Sequence, residues 1–169
     1  MLYRLLAKLL DYPDADLIEA LPETRAWLGR DLDPTERRVV AEFLDHLSAL
    51  DLTEAQAAYV LTFDLTPEHA LHLTHHLFGD DKNRGPALID LTEFYKEYGL
   101  ELASNELPDF LPLVLEFAEQ LDAEEARMFL SQWTKVLKVL AGNLEEAKSP
   151  YAPLIRLVEN RAQLVKAAA

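Results

Sequence analysis

The chain has 169 residues, half of them apolar, and 16 basic against 30 acidic side chains, for a formal net charge of −14. That length supports one domain with a substantial core, and the absence of cysteine excludes disulfides, cysteine-ligated metal centres and thiol catalysis. So acidic a surface repels nucleic-acid phosphates and anionic lipid headgroups and attracts a basic partner.

The opening MLYRLLAKLLDYP sets Leu2, Leu5, Leu6, Leu9 and Leu10 on one helical face. Arg4 and Lys8 interrupt it and no small-residue cleavage site follows, so it reads as the first helix of the fold rather than a signal peptide. Further on, Val39, Val40, Phe43, Leu44, Leu47 and Leu50 form one stripe, entered through Asp33, Pro34 and the capping-box residue Glu36. LTEAQAAYVLTFD predicts a helix capped by Thr53. PEHALHLTHHLFG predicts one capped by Thr66 with Pro67 at its first position. GPALIDLTEFYKEYG turns Leu88, Leu91, Phe94, Tyr95 and Tyr98 toward a core, after a turn that holds Gly85. DAEEARMFLSQWTKVLKVLAG reads as one helix with Ala126, Phe129, Leu130, Trp133, Val136, Leu137 and Leu140 inward. PYAPLIRLVENRAQLV makes a shorter last helix, and the KAAA that follows is expected to fray. Gly29, Gly79, Gly99 and Gly142 read as helix ends.

No segment alternates with period two, and no apolar run reaches the length of a membrane span. The expectation is an all-α, single-domain protein over residues 1–169, an irregular bundle of about eight or nine helices. A cytoplasmic location follows from the same features.

Candidate sites divide by chemistry. Four of the five histidines, His69, His72, His75 and His76, crowd one segment. On a helix His72 and His76 share a face, and with Asp80 they could hold a divalent ion, as a metal-dependent hydrolase would; an exposed histidine-rich face is the favoured reading, because no second ligand cluster or HExxH glutamate accompanies them. Ser48, Ser104, Ser131 and Ser149 lack a Gly-x-Ser-x-Gly context, and no glycine-rich phosphate loop exists, so neither an enzyme nor a resident cofactor is expected. Arg84 in the turn GDDKNRGP could meet a partner, form a fixed salt bridge or be solvated. Tyr59 and Phe63, four apart with Asp64 beside them, fit a core pair or a binding surface.

The stretch NELPDFLPLVLEF, residues 105–117, carries two helix breakers, Pro108 and Pro112. Both are tolerated if Asp109 caps the helix and Phe110, Leu111 and Pro112 fill its first three positions, where the N–H groups have no intrahelical partner. Leu111, Val114, Leu115 and Ala118 then face the core and Glu116 projects one turn along. The segment is either a capped helix or, with Phe110 and Glu116 outward, the acidic, apolar-edged wall of a groove for another chain.

Taken in order, Tyr-x-x-x-Phe-Asp at 59–64, Gly-x-x-x-x-Arg-Gly at 79–85, Tyr98–Gly99–Leu100, and Glu106-Leu-Pro-Asp followed by Leu111-Pro and Glu116-Phe resemble the nitrate reductase molybdenum-cofactor assembly chaperones, also called nitrate reductase delta subunits. The resemblance covers most of the chain, most clearly residues 56–121. It implies an all-helical fold without catalysis. It also implies a partner, the apo catalytic (alpha) subunit of a respiratory nitrate reductase, bound chiefly through its N-terminal peptide and held in the cytoplasm until the molybdenum cofactor is inserted and before membrane docking. The resemblance adds weight to Tyr59, Phe63, Arg84, Asp109 and Glu116, in structural or peptide-binding roles, and with Asp64, Pro108 and Phe110 these are the candidate partner-binding residues. One departure stands out: many members of the family have histidine where this chain has Phe110, so any polar contact made by that histidine is absent here or replaced by packing. Against this reading stand a histidine-cluster metalloprotein and an unrelated helical adaptor.

Overall fold

The computed structural model describes residues 1–29, 31–103 and 105–163; Ser104, the KAAA segment and the expected end of the last helix at 164–165 lie outside the described residues. Among the described residues ten α-helices follow one another: α1 Leu2–Leu10, α2 Ala15–Trp27, α3 Pro34–Ser48, α4 Leu52–Tyr59, α5 Leu73–Phe78, α6 Arg84–Glu97, α7 Leu111–Glu119, α8 Ala123–Ser131, α9 Thr134–Glu146 and α10 Ala152–Ala162. A π-helical turn, Val60–Asp64, extends α4, and a 3₁₀ turn, Pro67–His69, precedes α5. Among the described residues there is no strand, only one isolated antiparallel bridge between His72 and Phe110. No helix among them is long and apolar enough to cross a membrane.

Most of the expected stripes are buried or half-buried, but Tyr98, expected to face the core from α6, is 46% exposed because it stands at the C-terminal end of that helix. The α1 leucines Leu2, Leu6, Leu9 and Leu10 pack beside α7, whose Leu111, Val114, Leu115 and Ala118 are wholly inaccessible. Burying side chains of this size stabilises by about 1.5–3 kcal/mol each. The α3 stripe meets α10, and α10 lies along α9. Two aromatic clusters join the remaining elements. Phe43 of α3, Tyr59 of α4, Phe63 of the π turn and Tyr151 before α10 pack in tilted and edge-on contacts with centroid separations of 4.7–5.0 Å. Tyr95 of α6, Phe117 of α7 and Phe129 of α8 form the other, with Tyr95–Phe117 at 4.6 Å and Phe117–Phe129 at 4.8 Å.

Asp33 and Glu36 form the expected capping box at the start of α3. Four local expectations are corrected. The α4 cap is Asp51, not Thr53: Asp51 accepts from the Glu54 N–H, and the Glu54 side chain returns to the Asp51 N–H. The segment after Thr66 is not one helix; Ala70 ends the 3₁₀ turn, and α5 begins only at Leu73. The run 123–142 is broken at Gln132–Trp133, where i−3 bonds from Gln132 Nε2 to the Phe129 carbonyl and from Thr134 Oγ1 to the Ser131 carbonyl tighten the turn. Gly85 and Gly142 sit inside α6 and α9 rather than in a turn and at a helix end. Gly79 and Gly99 do close helices with φ of 55° and 76°, a region that only glycine enters without strain.

Candidate functional site

The two-proline stretch is held by an interlock with the residues before α5. The Leu111 N–H donates to the Leu71 carbonyl at 2.9 Å, and the Leu73 N–H donates to the Asp109 carbonyl at 3.1 Å. Contrary to the expectation from the sequence, Asp109 does not cap α7. Phe110 stands at that N-cap with no side-chain bond, and the wholly buried Asp109 carboxylate turns to α5 instead. Its Oδ2 accepts from the Thr74 N–H at 2.9 Å and from the Thr74 hydroxyl at 2.5 Å. It therefore satisfies an early α5 donor that local sequence leaves open. Arg84 completes the chain: its Nε donates to Thr74 Oγ1 at 3.0 Å and its Nη2 lies 3.9 Å from Asp109 Oδ2. Pro108 is buried, and its carbonyl accepts from the Tyr95 hydroxyl at 2.7 Å.

On the outer side of this interlock lies a groove of about 760 Å³. Its floor is apolar and aromatic, with Tyr59, Tyr95, Phe110, Pro112, Leu113 and Phe117. Leu100 and Leu102 of the α6–α7 connection form one wall, and Tyr12, after α1, forms another. Among the described residues five carboxylates line it, Asp11, Asp64, Glu101, Glu106 and Glu116, all on exposed residues, and no lysine or arginine does. The π turn helps: closing i to i+5, with the Leu65 N–H on the Val60 carbonyl at 3.0 Å, it brings Tyr59 and Asp64 to the same groove.

The residues singled out from the sequence therefore separate. Tyr59, Asp64, Phe110 and Glu116 line the groove. Phe63 is buried beneath Tyr59 in the first aromatic cluster, and Pro108, Asp109 and Arg84 stand behind the groove as its support. Tyr59 is itself only 4% exposed, and its hydroxyl donates to the Leu10 carbonyl at 2.9 Å. Burial drives the phenol pKa of Tyr59 and of Tyr95 well above the ordinary tyrosine value, so both line the groove as neutral donors.

The histidines do not share a helical face. His72 precedes α5 and lies in the bridge to Phe110, its ring stacked on the Phe110 ring at 5.1 Å and 28°, with Nε2 3.3 Å from Glu106 Oε2. The ring of His76 is turned elsewhere, with Nε2 2.6 Å from the Ala70 carbonyl, and burial lowers its pKa. His69 Nδ1 meets the Thr62 carbonyl at 2.9 Å. Among the described residues no group of three histidines or acids is placed to hold a metal ion.

Sequence reasoning passed over Tyr12, Glu101, Leu113 and His72 as groove residues. Glu106 carried a signal through its place in Glu-Leu-Pro-Asp. His72 carried none, because its spacing to His76 mimics a helix.

Comparison with known proteins gives a consistent result. The family model described as nitrate reductase delta subunit matches residues 30–156. The chain is 35% identical over 156 residues to the nitrate reductase molybdenum cofactor assembly chaperone NarJ of Escherichia coli, covering 91% of this chain and 66% of that protein. It is 30% identical over 153 residues to the probable nitrate reductase molybdenum cofactor assembly chaperone NarJ of Bacillus subtilis, covering 90% of this chain and 83% of that one. It is also 34% identical over 150 residues to the nitrate reductase-like protein NarX of Mycobacterium tuberculosis, where the match covers 89% of this chain and 22% of the other. The chain thus spans just under two thirds of the length of its Escherichia coli relative.

Proposed function

The chain belongs to the nitrate reductase delta subunit family, and on that premise we propose that it is an assembly chaperone for a respiratory nitrate reductase, acting without catalysis of its own. Its partner is the apo catalytic subunit, chiefly the N-terminal segment. It holds that subunit in the cytoplasm for molybdenum cofactor insertion, ahead of membrane docking.

The observation that carries this reading is the groove over α7: an aromatic and apolar floor inside a rim that, among the described residues, has five carboxylates and no lysine or arginine. Apolar floors take the anchor side chains of an extended or helical segment. The acidic rim steers a basic segment and fixes its register. A transient holder needs only micromolar affinity, about −8 kcal/mol, and the client leaves when it folds around its cofactor. In this reading Tyr59, Asp64, Phe110 and Glu116 touch the client, while Phe63, Arg84, Pro108 and Asp109 hold those residues in place.

The test is calorimetric titration with a synthetic peptide from the N-terminus of the same organism's nitrate reductase catalytic subunit, against a scrambled control. Specific binding weakened by Phe110→Ala supports the reading. Specific binding indifferent to Phe110→Ala keeps the partner and moves the site. A well-folded chain that binds neither that peptide nor the intact apo subunit is an adaptor for something else.

A further inference from the structure

Among the described residues, His72 is the one lining residue of the groove able to carry a positive charge. Its planar ring lies nearly parallel to Phe110, 5.1 Å away and inclined by 28°, while its Nε2 reaches Glu106 Oε2 at 3.3 Å. An aromatic face with a carboxylate at its edge is the arrangement that receives a guanidinium, which stacks on the ring and donates two parallel hydrogen bonds to the oxygens. The imidazole fills that space with a smaller planar donor. Both side chains face water, that of His72 34% exposed and that of Glu106 47%. A contact so open to water is weak and exchanges readily, whereas a forked guanidinium–carboxylate contact is stronger. The backbone under His72 is pinned by the bonds from Leu111 to Leu71 and from Leu73 to Asp109. The ring can therefore swing aside about its own side-chain torsions without disturbing the interlock.

We propose that Phe110 and Glu106 form an arginine subsite of the groove and that His72 is its built-in placeholder, displaced when a client arginine enters. This rests on the reading of the groove as a peptide site and adds the side chain that one part of it selects. Phe110 is then a specificity residue: its ring supplies the face that distinguishes guanidinium from ammonium. Glu101 and Glu116, on the same groove, add to the negative field that favours the exchange. A placeholder that holds the site for about four-fifths of the time masks about four-fifths of the intrinsic affinity, so its removal tightens arginine binding about fivefold.

The probe is the blocked dipeptide acetyl-Leu-Arg-amide, with acetyl-Leu-citrulline-amide as its uncharged isostere and acetyl-Leu-Lys-amide as the unforked cation. Titration is followed at fixed pH through the His72 ring resonances, which the Phe110 ring current shifts while the two are stacked. The expected result is that the arginine probe moves the His72 signals toward free histidine and the citrulline probe does not. His72→Ala binds the arginine probe about fivefold tighter and leaves citrulline unchanged, and Phe110→Leu removes the preference for arginine over lysine. Unmoved His72 signals, equal binding of arginine and citrulline, or a His72→Ala variant that binds arginine no better would each overturn the proposal. A catalytic-subunit peptide that binds equally well with its arginines replaced by citrulline would keep the chaperone reading and sink the subsite. Failure of that peptide to bind while the arginine probe displaces His72 would do the reverse.

Discussion

Asp109 accepts two hydrogen bonds from Thr74, from its N–H at 2.9 Å and from its hydroxyl at 2.5 Å, across 35 residues of sequence. A carboxylate from the mouth of one helix thereby closes the first turn of another. Arg84 bonds to the same hydroxyl, so the α5–α6 turn and the α7 entrance are fixed together. The groove stands on this support, because Phe110 follows Asp109 directly and His72 sits two residues before Thr74.

The first prediction concerns that contact. Asp109→Ala leaves the buried Thr74 N–H without an acceptor and Arg84 without its nearest carboxylate. An unmet buried donor costs about 1–3 kcal/mol, and more where charge is involved. The expected loss is about 2–4 kcal/mol, read as a lower urea midpoint with unchanged slope. Asp109→Asn keeps one acceptor for the Thr74 N–H and loses less, about 1–2 kcal/mol. If Asp109→Ala unfolds at the same urea concentration as the parent chain, the carboxylate is not the support described.

A second prediction concerns the clasp between α3 and α10. Arg161 meets Glu36 through Nε at 2.6 Å and Nη2 at 2.9 Å, and its pKa is raised chiefly by that hydrogen bonding. Glu36 is buried, and its Oε2 also accepts from the Asp33 N–H. Arg161→Ala therefore strands a buried carboxylate. Arg161 is itself about one-third exposed, so water tempers the cost to about 1–3 kcal/mol. Glu36→Gln with Arg161→Ala should lose less than the sum of the two single changes, measured by a double-mutant cycle in urea.

Alkaline pH gives a third. Tyr59, Tyr95 and Tyr151 are each at most 4% exposed, and burial raises all three phenols, Tyr151 to about 12. The folded state holds these protons more tightly than the unfolded chain does. Their contribution is complete below the ordinary tyrosine value of 10.0 and is lost as pH rises from there through the raised values. Tyr151 alone, raised by about two units, accounts for about 2–3 kcal/mol of that loss. The expected outcome is a urea midpoint that falls steeply above the ordinary value, with at least these three of the six tyrosines silent in phenolate absorbance until the protein unfolds. Six tyrosines ionising together while the chain stays folded would contradict it.

Much of the helical core was legible because the signals for it are local. The α3 and α7 stripes recur at helical spacing, and Asp33 with Glu36 spells out its capping box. Even the misplaced α4 cap was present as Asp51 followed by Glu54, three residues on, and lost only to the neighbouring Thr53. The all-helical class followed from the same periodicity. What escaped was set by distant partners. Nothing near Asp109 distinguishes capping its own helix from capping α5, because Thr74 lies 35 residues away. His72 kept perfect helical spacing to His76 while its backbone was drawn into a bridge with Phe110. The break at Trp133 involves no glycine or proline. Conversely Gly142 continues α9, where an added Cβ would meet only Arg156 Nη2, at 4.0 Å.

The last prediction separates touching from supporting. Glu116 and Asp64 are exposed on the groove, whereas Asp109 is wholly inaccessible. Exposed substitutions away from buried contacts shift stability by no more than about 0.5 kcal/mol. Glu116→Gln with Asp64→Asn should therefore leave the urea midpoint in place, slow association of the peptide proposed as client, if that peptide is basic, and weaken its dependence on salt, because two of the five steering charges are gone. Asp109→Asn should act the other way round. It lowers the midpoint, and its effect on the peptide shrinks on cooling, as the chain returns to its folded population, with the salt dependence intact because no rim charge has been removed. Calorimetry and stopped-flow association at two salt concentrations distinguish the two patterns. Salt dependence lost with Asp109→Asn but kept with the rim pair would mean that the buried carboxylate, not the rim, meets the client, which requires the α5–α7 interlock to open on binding.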